Sequence, residues 1–167
     1  MQHMKSTNAR SMTGAFDIRE DDLSGDEIRG LVRLHLEGMY ASSPPEHVFA
    51  LGIDGLISPQ ITVWSAWSQN RIAGMGALKN LGEGRGELKS MRTHPSFIRQ
   101  GVASALLLHI INVARVRGMT HLSLETGTGP AFEAAMALYQ SFGFQPGEAF
   151  GEYEESAYSQ FLHLSLK

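Results

Sequence analysis

The period of the apolar positions changes along the chain, and each change predicts an element. Phe16 and Ile18 alternate with Asp17 and Arg19, which predicts a short first strand. From Ser24 to Met39, Ile28, Leu31, Val32, Leu34, His35, Leu36 and Met39 fall at mostly helical spacing. Ser24 with Glu27 three residues on predicts a capping box for that helix. The run SSPPEHVFALGI predicts a second short helix, with Ser43 as cap and Pro44 or Pro45 in its first turn.

Ile61 to Trp67 and Arg71 to Leu78 are β-prone runs joined by Ser68-Gln69-Asn70, a hairpin signal. Strict alternation in GELKSMRT puts Glu87, Lys89, Met91 and Thr93 on one face and Leu88, Ser90 and Arg92 on the other. That mixture predicts an edge strand or one beside a solvated cleft. Trp64 and Trp67, three apart on one strand, are expected on opposite faces. Val102, Leu106, Ile110 and Val113, widened by Ala103, Leu107, Ile111 and Ala114, form one helical stripe. Arg115, Arg117 and Gly118 supply its C-terminal signals. A strand over His121–Thr126, a helix over Pro130–Phe142 ending at Gly143, and two last strands complete the order. The expectation is one α/β domain over residues 16–167, its central sheet mixed and largely antiparallel, preceded by a loose polar arm over residues 1–15.

Composition narrows the partners. With 167 residues, 43% hydrophobic and 19% charged, the chain is long enough for one sizeable core. A net charge of -3 argues against a nucleic-acid partner, while Arg92, Arg99 and Arg115 could serve a small anion. The absence of cysteine excludes disulfides and thiolate clusters, and fits a cytoplasmic setting. No apolar run approaches the roughly 20 residues of a membrane span, and no secretory h-region follows the first charges. The seven histidines contain neither HExxH nor a pair at i,i+4, so no metal is expected.

IRQGVASALL raises a chemical question. A helix start exposes unpaired N–H groups at the positive end of its dipole, and Gly101 and Ala103 leave room for a pyrophosphate. The same residues serve a plain helix start equally well. GMGALK does not complete a dinucleotide fingerprint, no GK[ST] loop exists, and no G-x-S-x-G elbow marks a serine nucleophile.

Three segments, in order, carry a resemblance. GELKSMRTHP, IRQGVASALL and AMALYQSFGF, with LETG and FGEY beside them, resemble the GNAT superfamily of acetyl-CoA-dependent N-acyltransferases. The resemblance covers Glu87 to Phe144 and favours the cradle. It implies acetyl-CoA as co-substrate, with Arg99, Gln100, Gly101, Val102, Ala103 and Ser104 around the pyrophosphate. Met91, Arg92 and Thr93 would lie along the pantetheine arm, and the Met91 strand would polarise the thioester carbonyl. Two positions depart from the pattern: Ile98 stands where Arg or Gln is usual, and Phe132 where an asparagine is common.

The resemblance also implies Tyr139 as the acid that protonates departing thiolate, against the plain alternative of a packed helix aromatic. Removing the amine proton calls for a carboxylate, for which Glu87 is the first candidate and Glu125 the second. His35 and Tyr153 are candidate acceptor-pocket residues. The implied reaction is acetyl transfer to a primary amine by direct attack in a ternary complex. A non-catalytic acyl-CoA sensor and a purely structural or interaction domain are the alternatives. The acceptor is a small molecule or peptide, with no membrane partner, and a homodimer through the C-terminal strands is compatible with the resemblance.

Overall fold

A computed structural model describes residues 10–13 and 16–167. Eight strands form one sheet: β1 (Arg10–Thr13), β2 (Phe16–Glu20), β3 (Ile61–Ser68), β4 (Arg71–Gly82), β5 (Arg85–Thr93), β6 (His121–Gly127), β7 (Gln145–Pro146) and β8 (Ser159–Ser165). Their spatial order is β1-β2-β3-β4-β5-β6-β8-β7. Every neighbouring pair is antiparallel except β5 and β6, which run parallel. The mixed, largely antiparallel α/β architecture expected from the sequence is therefore the one observed. Of the arm expected over residues 1–15, Arg10–Thr13 forms β1 and the rest lies outside the described residues.

The α-helices are α1 (Asp26–Ser42), α2 (Ile53–Leu56), α3 (Val102–Val116) and α4 (Glu133–Ser141). One sheet face, with Leu78, Leu88, Leu122 and Leu124, packs against Val102, Leu106 and Ile110 of α3. The other, with Val63, Met75 and Ala77, packs against Ile28, Leu31 and Val32 of α1. Each such fully buried side chain contributes roughly 1.5–3 kcal/mol. Trp64 joins the α3-side core and Trp67 packs on the α1 side, as their spacing predicts. The glycines of GMGALK prove to be packing devices. A Cβ on Gly74 would lie 2.6 Å from Val102 Cγ1, and one on Gly76 would lie 2.6 Å from Met91 Sδ. They let α3 and Met91 approach β4.

Tight turns set the registers. Gln69 and Asn70 link β3 to β4 with φ 51° and 66°, and Glu83 and Gly84 link β4 to β5 with φ 57° and 76°. Two consecutive positive φ values match the right-handed twist of the strands they join.

Three local expectations are corrected. No Ser24–Glu27 capping box forms: Gly25 is the N-cap of α1, without a side-chain cap, and the Ser24 hydroxyl donates to Asp22 instead. SSPPEHVFALGI is not one helix. It contains a single 3₁₀ turn at Pro45–His47 and then extended chain up to α2. Ser43 and Pro44 each precede a proline and are pushed to extended ψ values of 154° and 146°. Finally, β5 is central rather than an edge, flanked by β4 and β6, although its second half does border a cleft.

Candidate active site

Two irregularities in β5 create the site. The first is a parting of strands. β5 pairs with β6 only from Arg85–His121 to Glu87–Ser123, yet β5 runs on to Thr93 and β6 to Gly127. Backbone groups beyond Glu87 thereby face a cleft of about 670 Å³ instead of a neighbouring strand. The second is a bulge. Met75 pairs with Arg92 but Ala77 with Lys89, so Ser90 and Met91 together oppose Gly76. Ser90 adopts φ 56°, an unusual value for a non-glycine residue.

The bulge inverts the expected alternation. Met91, expected beside Glu87 and Lys89, turns to the α3 side and packs near Ile110. Arg92, expected opposite them, joins them on the α1 side. A one-residue insertion exchanges every face beyond it. Met91 and Thr93 still border the cleft.

On the α3 side, the loop from His94 to Gly101 ends at an open helix start. Gly101 is the N-cap of α3 at φ 87°, without a side-chain cap, and a Cβ there would meet nothing within 4 Å. The first intrahelical bond is Ala105 N–H to Gly101 C=O, so Val102, Ala103 and Ser104 offer their N–H groups outward. The Val102 side chain is core, leaving only its backbone for a ligand. Arg99, at φ 62°, lines the cleft, as do Ile98 and Ala103. Ile98 is 62% exposed and contributes no polar group. Gln100 bends back toward the Ser96 carbonyl at 3.5 Å. A string of unpaired N–H groups beside open space fits a pyrophosphate. Phe132, which also lines the cleft, packs against Gly127: a Cβ at that glycine would sit 2.5 Å from its ring.

Tyr139 of α4 lies at the floor of the cleft, its ring edge-on to Phe144. Burial holds its phenol well above the ordinary tyrosine range, so it keeps its proton at neutral pH. Among the described residues its hydroxyl finds no hydrogen-bond partner, and it is not sealed off from the cleft.

On the α1 side the polar groups are clasped together. Glu87 is 4% exposed, and its Oε2 accepts from the Tyr153 hydroxyl at 2.5 Å and from Lys89 Nζ at 3.1 Å. Lys89 Nζ also lies 3.1 Å from Tyr153 Oη, closing a triangle. Burial, then the Glu87 charge and hydrogen bond, raise the Tyr153 phenol and keep it a donor. Edge-on contacts of Tyr153 with Phe49 and Phe150 fix its ring. Glu125 stands across the cleft, with Oε2 accepting from Ser159 at 2.8 Å. Burial raises its carboxyl above the usual range, a shift that the Ser159 hydrogen bond and the Lys89 charge partly oppose.

His35 of α1 completes this wall. Arg92 Nε donates to His35 Nδ1 at 3.0 Å, and Nη2 lies 3.5 Å from the His35 carbonyl. Arginine can only donate, so Nδ1 is the acceptor and the ring proton sits on Nε2. Burial, with help from the Arg92 and Lys89 charges, lowers His35 to about 4 and keeps it neutral.

The structure thus brings Glu87, Glu125, Tyr139, Met91, Arg92, Thr93, Arg99, Ala103 and His35 around one cleft, with Tyr153 behind Glu87. Gln100, Gly101, Val102 and Ser104 do not line it themselves but sit at the helix start between and beside Arg99 and Ala103, which do. Sequence reading missed Lys89 and Phe49. Alternation places Lys89 beside Glu87, but the phenol that joins them lies 64 residues further on.

Comparisons with known proteins place the chain in a family. The sequence model of the acetyltransferase (GNAT) family matches residues 24–144. The chain is 50% identical over 149 residues to the uncharacterized N-acetyltransferase YsnE of Bacillus subtilis, a match covering 89% of this chain and 99% of YsnE. A solved structure from Klebsiella pneumoniae, designated an acyl-CoA N-acyltransferase, superposes with a TM-score of 0.75 at 25% identity, covering 93% of this chain and 100% of that one. A GNAT family acetyltransferase from Elizabethkingia anophelis with acetyl-CoA bound shares the fold with a TM-score of 0.68 at 18% identity, covering 92% of this chain and 99% of that one.

Proposed function

Since the chain belongs to the acetyltransferase (GNAT) family and is a GNAT-type N-acetyltransferase, we propose that its own cleft takes acetyl-CoA and passes the acetyl group directly to a primary amine. The observation that carries this reading is the parting of β5 from β6 beyond Glu87–Ser123, with the unpartnered Tyr139 hydroxyl beneath it. Acetyl-CoA supplies the activated thioester. The N–H groups of Val102, Ala103 and Ser104 hold the pyrophosphate, with Gly101 leaving room and Arg99 adding charge. The backbone of Met91 to Thr93, free of β6, aligns the pantetheine arm by strand-like hydrogen bonds.

Two proton transfers remain for side chains. Tyr139 keeps its proton at neutral pH and donates it to the leaving sulfur. The acceptor ammonium must lose a proton before attack, and the two carboxylates are unequal candidates. Glu87 Oε2 is occupied by two donors, one of them an ammonium. Glu125 has one oxygen free of protein donors and a raised proton affinity, which suits a base near neutral pH. We therefore assign the base to Glu125 and give Glu87 the task of holding Lys89 and Tyr153 in place. This reverses the order in which sequence alone ranks them.

The test is thiol release from acetyl-CoA with a panel of primary amines, using wild type, Tyr139→Phe and Glu125→Gln. Tyr139→Phe keeps the ring packing and should lower kcat about 100-fold with little change in acetyl-CoA affinity. Glu125→Gln should remove the acid limb of the pH–rate profile. Unchanged turnover in Tyr139→Phe would refute the acid assignment. Acetyl-CoA binding with no turnover of any amine would point to a sensor.

A further inference from the structure

Arg92 lacks the counter-charge a half-buried guanidinium normally finds. Its protein partners are the neutral imidazole Nδ1 and the carbonyl of His35. Among the described residues the ion pairs are Arg19–Asp17 and Lys89–Glu87, and Arg92 has no carboxylate within reach. Its placement is tight: a Cβ on Gly38 of α1 would lie 2.8 Å from Arg92 Nη2, so α1 makes room for the guanidinium at a glycine. Nη1 remains free toward the cleft that Arg92 lines. The His35 Nε2–H likewise has no acceptor among the described residues and is not sealed from that cleft. Two donors, one cationic, therefore point from one wall with nothing to receive them.

The opposite sign lies in the same cleft. Lys89 is neutralised by Glu87, whereas among the described residues Glu125 has a hydroxyl as its only hydrogen-bond partner and no cation paired with it. Lys89 lies within electrostatic reach of both His35 and Glu125. The cleft thus presents an unpaired carboxylate at one place and an unpaired guanidinium with an imidazole N–H at another. A plain amine would satisfy only the first.

We propose that the acceptor is an aminocarboxylate: its amine meets Glu125, and its carboxylate is held by the Arg92 guanidinium and the His35 Nε2–H. This rests on the acetyl-transfer reading above and deepens it to a substrate class. Arg92 then belongs to the acceptor side of the cleft through its side chain, whatever its backbone contributes to the pantetheine arm. The bulge at Ser90 makes this assignment, because without it the guanidinium would point to the α3 face. A planar guanidinium beside an imidazole N–H suits the two coplanar oxygens of a carboxylate, and one cation is little for a dianionic phosphonate.

The test offers glycine, L-methionine and L-phenylalanine with acetyl-CoA, each alongside its carboxamide, its decarboxylated amine and its aminophosphonate analogue. At least one free acid should be acetylated, with kcat/KM about 10- to 100-fold above its carboxamide and amine, the discrimination expected of a charge-assisted pair. Arg92→Met should erase that preference by raising KM for the free acid while leaving the acetyl-CoA dissociation constant unchanged. His35→Phe, which leaves the arginine in place, should reduce the preference less. Equal turnover of acid, carboxamide and amine would overturn the proposal, as would a preferred phosphonate. So would wild type that binds acetyl-CoA but acetylates none of the free acids, or an Arg92→Met variant that loses acetyl-CoA binding. The wild-type preference stands as a test even if Arg92→Met fails to fold. Failure of wild type to bind acetyl-CoA at all would instead remove the acetyl-transfer reading, and the substrate class with it.

Discussion

The two ends of the cleft solve recognition in opposite ways. At the start of α3 the recognising groups are backbone N–H donors, open to solvent, with Gly101 at φ 87° and no side-chain cap. On the α1 wall they are side chains from distant segments: Glu87, Lys89 and Tyr153 in a triangle, and Arg92 on His35. A backbone cradle tolerates changes of side chain but not of backbone conformation. A side-chain network has the reverse sensitivity. The conserved chemistry of a cofactor suits the first design and a particular acceptor suits the second.

Substitutions at each end should break this contrast in different ways. The largest effect is expected for Gly101→Val, which puts a β-branched residue at a left-handed position and a side chain into the cradle's open space. Calorimetry should show acetyl-CoA binding lost, with the fold retained by circular dichroism. Next comes Lys89→Met. The Lys89–Glu87 pair is nearly sealed, with 10% and 5% of the two side chains exposed, and removing one partner strands a buried charge. Urea unfolding should report a loss of about 3 kcal/mol, yet acetyl-CoA should still bind the folded fraction.

A third effect is expected with pH. His35 is lowered to about 4 in the fold, against about 6.5 unfolded. Between these values the unfolded chain takes up a proton that the folded one refuses, so its contribution is present above about pH 6.5 and lost as pH falls toward 4. His35→Gln should flatten the fall in stability over that window, by on the order of 3 kcal/mol at most. Glu125, being raised, works with the opposite sign: relative stability is lost as pH rises through its folded pKa. The smallest effect is expected for Arg99→Ala. Its exposed charge supplements the backbone, and acetyl-CoA binding should weaken only about two- to fivefold.

The same contrast explains what could be read from the chain. The open start of α3 was legible because its ingredients are local: a glycine, small residues and a helical stripe within Gly101–Val116. The pairing of β3 with β4 followed from the hairpin signal at Ser68-Gln69-Asn70. The α1 wall was only partly legible. His35 and Tyr153 stood out as pocket candidates, but their partners are 57 and 66 residues away. Strict alternation put Arg92 on the wrong face and Met91 with it, because nothing in KSMRT announces that Ser90 takes φ 56°. The failed Ser24 cap and the broken SSPPEHVFALGI helix have a simpler origin: Asp22 competes for the serine, and consecutive prolines forbid helical backbone before them.

The most direct measurement is an acetyl-CoA titration, by calorimetry, of wild type beside Gly101→Val, Arg99→Ala, Lys89→Met and Arg92→Met. The account predicts one binding site per chain, lost in Gly101→Val, slightly weakened in Arg99→Ala and intact in the two α1-wall variants. No binding by wild type, or binding that survives Gly101→Val but fails in Arg92→Met, would contradict it.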